Sequence, residues 1–110
     1  MRYRPDRRTE FVVGILGNQG TADLLDVSKS QPSRWRSGEE VPSPAVARRL
    51  VDLDYVLGRL VLVWDETLAA NWLRTPNGFL DGATPLEVIE TRGTAEVVQA
   101  IEAEAAGAYA

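Results

Sequence analysis

The sequence predicts an all-α fold, in which an N-terminal module of short helices is joined by a long central helix to a small helical C-terminal module. Three observations carry that expectation. Strand-type alternation of apolar and polar residues never persists along the 110 residues, whereas apolar spacings of three and four recur. Helix-start chemistry appears repeatedly, most plainly in Ser43-Pro44 and in Thr84-Pro85-Leu86-Glu87. Glycines fall where the helices so begun should stop, at Gly17, Gly38 and Gly107.

Taken in order, Glu10 to Leu16 forms a first helix that ends at Gly17-Asn18. Thr21 and Asp23 open a second that continues through Val27. Ser30 with Pro32 opens a third, which stops near Gly38 in left-handed conformation. Ser43 then caps the longest helix, residues 44 to 65, with Pro44 in the first turn where its missing N–H costs nothing. Val46, Leu50, Leu53, Leu57, Leu60 and Trp64 trace one face of that helix in alternating steps of four and three. Val51, Val56, Val61 and Val63 widen the stripe, which predicts burial on several sides and a homodimer seam. Asn71 to Leu80 reads as a short helix running into a Pro76-Asn77-Gly78 turn. Thr84 to Glu87 is a capping box, in which hydroxyl and carboxylate satisfy free amides reciprocally. The last helix spans Thr94 to Ala106 with Val97, Val98, Ile101 and Ala105 on one side, and Gly107 releases Ala108-Tyr109-Ala110 as a tail. The division implied is residues 1–42, 43–65 and 66–110.

Composition removes whole classes of chemistry. There is no cysteine, so disulfides, thiolate catalysis and sulfur-ligated metals are excluded together. There is no histidine either, so neither a Ser-His relay nor an imidazole metal site can be built, and no cofactor or metal is expected. The acid pairs Asp52/Asp54, Glu39/Glu40 and Glu102/Glu104 are one or two residues apart, do not face each other on a helix, and read as solvated faces rather than acid–base machinery. Gly14, Gly17 and Gly20 are spaced like a phosphate loop, but no strand precedes them and no Gly-Lys-Ser/Thr follows. An enzyme is not expected. The longest apolar run, Leu60 to Trp64, is far short of the roughly 20 residues that span a membrane, and Met1-Arg2-Tyr3-Arg4-Pro5 leads into no signal-like apolar stretch. The expected location is the cytoplasm. The net charge of −4 conceals an asymmetry: residues 1 to 50 carry nine Lys or Arg against six Asp or Glu, while residues 51 to 110 carry three against ten. The front half can meet phosphate, and the back half is repelled by it.

Between Thr21 and Gly38 two short helices meet across a tight turn, which is the spacing of a helix-turn-helix. The second helix of such a unit lies in the DNA major groove. Ala22 is small where the helices approach, Val27 fills the turn, and Trp35 anchors the second helix. Lys29, Ser30, Gln31, Ser33, Arg34 and Arg36 then fall on the groove side, with Arg34 placed for a base edge and Arg36 for a phosphate. A helical hairpin with merely solvated basic residues fits the same spacing. At Ala22, Val27-Ser28, Trp35 and Gly38 the chain resembles the Cro/repressor-like, or Xre-type, helix-turn-helix family. It differs from that pattern at two positions: Asp26 stands where a glycine is common in the turn, and Pro32 replaces the usual core aliphatic.

A second resemblance covers the remainder. Trp72-Leu73-Arg74-Thr75-Pro76-Asn77, Leu80, Gly82, Thr84-Pro85-Leu86-Glu87 and the closing Gly107-Ala108-Tyr109-Ala110 resemble, in order and spacing, the toxin-binding domain of the Xre/MbcA/ParS antitoxins. The resemblance implies a bacterial type II antitoxin that inhibits a RES-domain, NAD-consuming toxin by covering its active site. It also implies binding to operator double-stranded DNA for autorepression, and a homodimer within a larger complex. The implied toxin-binding residues are Trp72, Arg74, Pro76, Asn77, Leu80, Pro85, Gly107, Ala108, Tyr109 and Ala110, the last four at the active-site entrance. Local physics accounts for the same blocks differently, with Trp72, Leu73 and Leu80 as core, Pro76-Asn77-Gly78 as a turn and Thr84 to Glu87 as a cap. Two rivals follow: a stand-alone repressor whose C-terminal half only dimerises, and an interaction module that no longer binds DNA.

Overall fold

Among the described residues, periodicity and capping chemistry produce six α-helices and one 3₁₀ turn: α1 (Arg7–Leu25), α2 (Gln31–Ser37), α3 (Pro44–Leu60), α4 (Glu66–Leu73), the 3₁₀ turn Gly78–Leu80, α5 (Pro85–Arg92) and α6 (Ala95–Ala105). The computed structural model describes residues 7–107, and among these there is no strand. The Ala108-Tyr109-Ala110 tail lies outside the described residues. The fold is all-α, as expected. The chain divides into two units, one reaching Asp54 and the other beginning at Tyr55. None of the described helices is long and apolar enough to cross a membrane.

In the first unit, α1 is broken at Gly17, whose φ of 75° and ψ of 169° lie in a region that essentially only glycine enters. The helix begins at Arg7, earlier than Glu10, because Thr9 joins Val12 and Val13 inside. It also resumes directly after Gly17 instead of waiting for Thr21. It stops at Leu25, before Val27, because Asp26 turns left-handed at φ 54°. There the Val27 N–H reaches back to the Ala22 carbonyl at 3.0 Å and the Asp26 N–H to that of Asp23 at 3.4 Å, closing the helix end. Arg49 Nη1 donates to the Leu25 carbonyl at 3.2 Å, placing a cation at the negative end of that helix.

Helix α2 packs on α1 with Pro32 and Trp35 facing inward, Trp35 being fully buried. Proline is tolerated there because it occupies the first turn. Ser30 holds the N-cap position without capping: its hydroxyl accepts from Arg34 Nη1 instead. Gly38 ends α2 at φ 82°, with the Glu39 N–H on the Arg34 carbonyl at 2.9 Å. Ser43 caps α3 as expected, its Oγ accepting from the Val46 N–H at 3.3 Å. Leu50 and Leu53 are buried in this unit.

The central helix ends at Leu60, five residues short of the expectation. The Val63 and Trp64 N–H groups both turn back to the Leu60 carbonyl, at 3.0 and 2.9 Å, while Asp65 adopts extended geometry and its carboxylate accepts from the Leu68 N–H at 2.9 Å. Asp65 therefore starts α4, and the apolar run Val61 to Trp64 lies in the turn before it. The burial on several sides expected of the stripe is met in part: Leu50, Leu53, Val56, Leu57 and Leu60 are buried, whereas Leu62 is 85% exposed and both Val51 and Val63 are 43% exposed.

In the second unit α4 packs on α5, and α5 and the 3₁₀ turn pack on α6. Val56, Leu57, Leu60, Ala69, Leu73, Leu80, Val88, Ile89, Val97, Ala100 and Ile101 are its buried apolar residues. The Thr84 capping box is present in both directions. In α6 the inner position expected of Ala105 is taken by Ala100; Ala105 is exposed, and the chain turns left-handed at Gly107, φ 80°.

Candidate functional site

The predicted groove-side residues lie in the turn between α1 and α2 and along α2 itself. Lys29, Ser30, Ser33 and Arg36 are exposed, while Gln31 and Arg34 are half-buried. Two of the cations are already paired within the unit. Arg36 Nη2 lies 3.3 Å from Glu10 Oε2, and Arg34 Nε lies 3.5 Å from Glu40 Oε1. Both are surface pairs, worth little to stability and open to displacement by a phosphate.

Glu40 is the residue that sequence reasoning missed. Instead of belonging to a solvated face, its Oε2 accepts from Trp35 Nε1 and from Gln31 Nε2, each at 3.1 Å. The signal was present but non-local: three partners five to nine residues away converge only because Gly38 folds the chain back. The other acid pairs behave alike, with one member engaged in each. Asp54 Oδ2 is 3.8 Å from Arg8 Nε, and Glu104 Oε1 accepts from Asn77 Nδ2 at 2.9 Å.

In the second unit the implied toxin-binding residues separate into two sets. Asn77, Leu80 and Pro85 are buried, whereas Arg74, Pro76 and Gly107 are exposed and Trp72 is half-buried. Asn77 organises the loop after α4. Its Oδ1 accepts from the Phe79 N–H at 2.9 Å, its Nδ2 donates to Glu104, and its carbonyl accepts from the Leu80 and Gly82 N–H groups at 3.0 and 2.9 Å. Trp72 stands beside Trp64, ring centroids 6.1 Å apart and planes tilted by 32°. The two rings, with Leu68, Asn71, Thr75 and Glu104, line an open groove of about 300 Å³. Within it Leu68 is 53% exposed, and Trp72 Nε1 is buried with no hydrogen-bond partner. Ala108, Tyr109 and Ala110 lie outside the described residues.

A family model, the antitoxin Xre/MbcA/ParS C-terminal toxin-binding domain, matches residues 59–107. The mycobacterial cidal antitoxin MbcA of Mycobacterium bovis and that of Mycobacterium tuberculosis are each 30% identical over 87 residues, covering 79% of this chain and 77% of theirs. A chain in the crystal structure of the M. tuberculosis MbcT–MbcA toxin–antitoxin complex superposes with a TM-score of 0.74 at 27% identity, over 94% of this chain and 95% of that one. Fold, matched domain and relatives define one class of protein, the antitoxin member of a toxin–antitoxin pair. Within that class the chain belongs to the Xre/MbcA/ParS family.

Proposed function

We propose that this antitoxin silences a RES-domain toxin that consumes NAD, and that it binds its own operator to repress the operon. The observation that carries the reading is the likeness of nearly the whole chain, 94% of it, to a chain of a solved toxin–antitoxin complex. The toxin-facing surface is the exposed part of the second unit: the Trp64/Trp72 groove, Arg74, Pro76 and the C-terminal stretch from Gly107. The half-exposed Leu68 and the half-buried Trp72 ring at the groove suit a partner segment that supplies an apolar side chain. Asn77, Leu80 and Pro85 act indirectly, by holding the loop that presents Pro76. The protein works by binding and occlusion rather than by catalysis, in the cytoplasm.

The α1–α2 pair serves as the helix-turn-helix, with Lys29, Ser30, Gln31, Ser33, Arg34 and Arg36 toward DNA and Trp35 behind them in the core. A homodimer would set two such helices about one DNA turn, roughly 34 Å, apart on a palindromic site. The decisive experiment is co-expression with the product of the neighbouring open reading frame, followed by co-purification and measurement of NAD loss with and without this chain. Full NAD loss in the presence of excess antitoxin overturns the inhibitory reading. Operator binding is tested by titrating the upstream region against a scrambled duplex at two salt concentrations.

A further inference from the structure

We propose that Glu40 is a positioning residue for DNA recognition: its carboxylate, anchored by the buried indole of Trp35, fixes Gln31 and Arg34 in the orientation with which they meet base edges. The inference rests on the DNA-binding reading of α2 and adds to it a residue outside the groove-facing set.

The argument begins at Trp35. An indole N–H is a donor only, and this one belongs to a fully buried side chain, so it requires an acceptor at a fixed place. Glu40 Oε2 supplies it at 3.1 Å, which ties an otherwise flexible side chain to the core of the unit. The same oxygen accepts from Gln31 Nε2 at 3.1 Å, and the other faces Arg34 Nε at 3.5 Å. Gln31 is held from its other end too, because its Oε1 accepts from the Ser28 N–H at 2.9 Å.

A glutamine amide has two N–H groups and two acceptor sites. With one of each engaged, one of each stays available, and that donor–acceptor pair is what the major-groove edge of adenine takes. Arg34 is likewise held, by Glu40 at Nε and by the Ser30 hydroxyl at Nη1, with Nη2 engaged by neither. Side chains ordered before binding lose less entropy on binding, so the network raises discrimination. The carboxylate also repels phosphates, which lowers affinity for every sequence alike. Positioning and repulsion therefore predict different things.

The test titrates full-length wild type, Glu40→Ala and Glu40→Gln against the operator and a scrambled duplex. Glutamine keeps a carbonyl oxygen for Trp35 and Gln31 while removing the charge. Glu40→Ala is expected to lower the ratio of operator to scrambled affinity about tenfold, the loss of one base contact, while binding to scrambled DNA rises. Glu40→Gln should raise binding to scrambled DNA as much, yet keep the ratio within about threefold of wild type. If Glu40→Ala leaves the ratio unchanged and strengthens both duplexes equally, the residue acts through charge alone and the proposal is overturned. Should Glu40→Ala fail to fold, Trp35→Phe keeps a buried ring but removes the anchoring N–H, and an unchanged ratio in that variant overturns the proposal as well. A wild type with no preference for the operator overturns the DNA-binding reading together with this one; a clear wild-type preference with unaffected variants overturns only this one.

Discussion

Two side chains decide how the first unit is held, and each makes a separate prediction. Trp35 fills the space between α1 and α2 and donates to Glu40. Replacing it with alanine removes a large buried ring and leaves Glu40 without its anchor, so a loss of about 3–5 kcal/mol is expected. Chemical denaturation checks this, and an unchanged midpoint would show that Trp35 is not the core residue described. Asp26 acts in the opposite sense. Its φ of 54° places an L-residue in the left-handed region at the turn, where the related helix-turn-helix pattern commonly has glycine. Asp26→Gly should therefore stabilise the unit by about 0.5–1 kcal/mol, the relief of strain exceeding the added chain entropy. A lower melting temperature would mean that the aspartate side chain contributes more than its backbone costs.

Several helix ends made by residues within one turn of each other were legible in the sequence. Gly17, Gly38, Ser43, the Thr84/Glu87 box and Gly107 all act at their expected places, because a cap or a left-handed residue is local chemistry. The end of α3 was not legible in the same way. Apolar spacing runs on smoothly from Leu60 to Trp64, and periodicity alone cannot distinguish a continuing helix from a turn whose apolar residues meet other elements. The informative residue was Asp65, followed by Glu66, an N-cap with an acid in the first turn. Asp65→Ala should cost about 1 kcal/mol and fray the start of α4. Amide hydrogen exchange at Glu66 to Leu68 reads this directly, and unchanged protection there would remove Asp65 as the cause of the break. The candidate sites were legible as sets of residue types and not as networks. Gln31, Arg34 and Trp35 were recognisable by position, but their convergence on Glu40 depends on how Gly38 folds the chain back. Asn77 was likewise recognisable as a turn residue, while its bond to Glu104 joins positions 27 residues apart that no local pattern connects.

At the scale of the whole molecule, a basic front half and an acidic back half divide the proposed work, and the division can be tested by removing one end. Deletion of Gly107 to Ala110 should restore NAD consumption by the toxin while leaving operator affinity and melting temperature nearly as in wild type. Helix α6 closes at Ala105, and Gly107, the one deleted position among the described residues, is exposed. Full inhibition by the truncated chain would assign occlusion to the groove and domain surface instead. The tryptophans allow both activities to be followed without labels. Only three are present, Trp35 in the first unit and the Trp64–Trp72 pair in the second. Two indoles 6.1 Å apart and tilted by 32° are close enough to couple, which is expected to give the second unit an aromatic couplet in its far-ultraviolet circular dichroism. Trp35, shielded from solvent and hydrogen-bonded to a carboxylate, is expected to contribute the blue side of the emission. A toxin titration should alter the dichroic couplet and a DNA titration the buried emission, so one unmodified sample reports optically on two binding events.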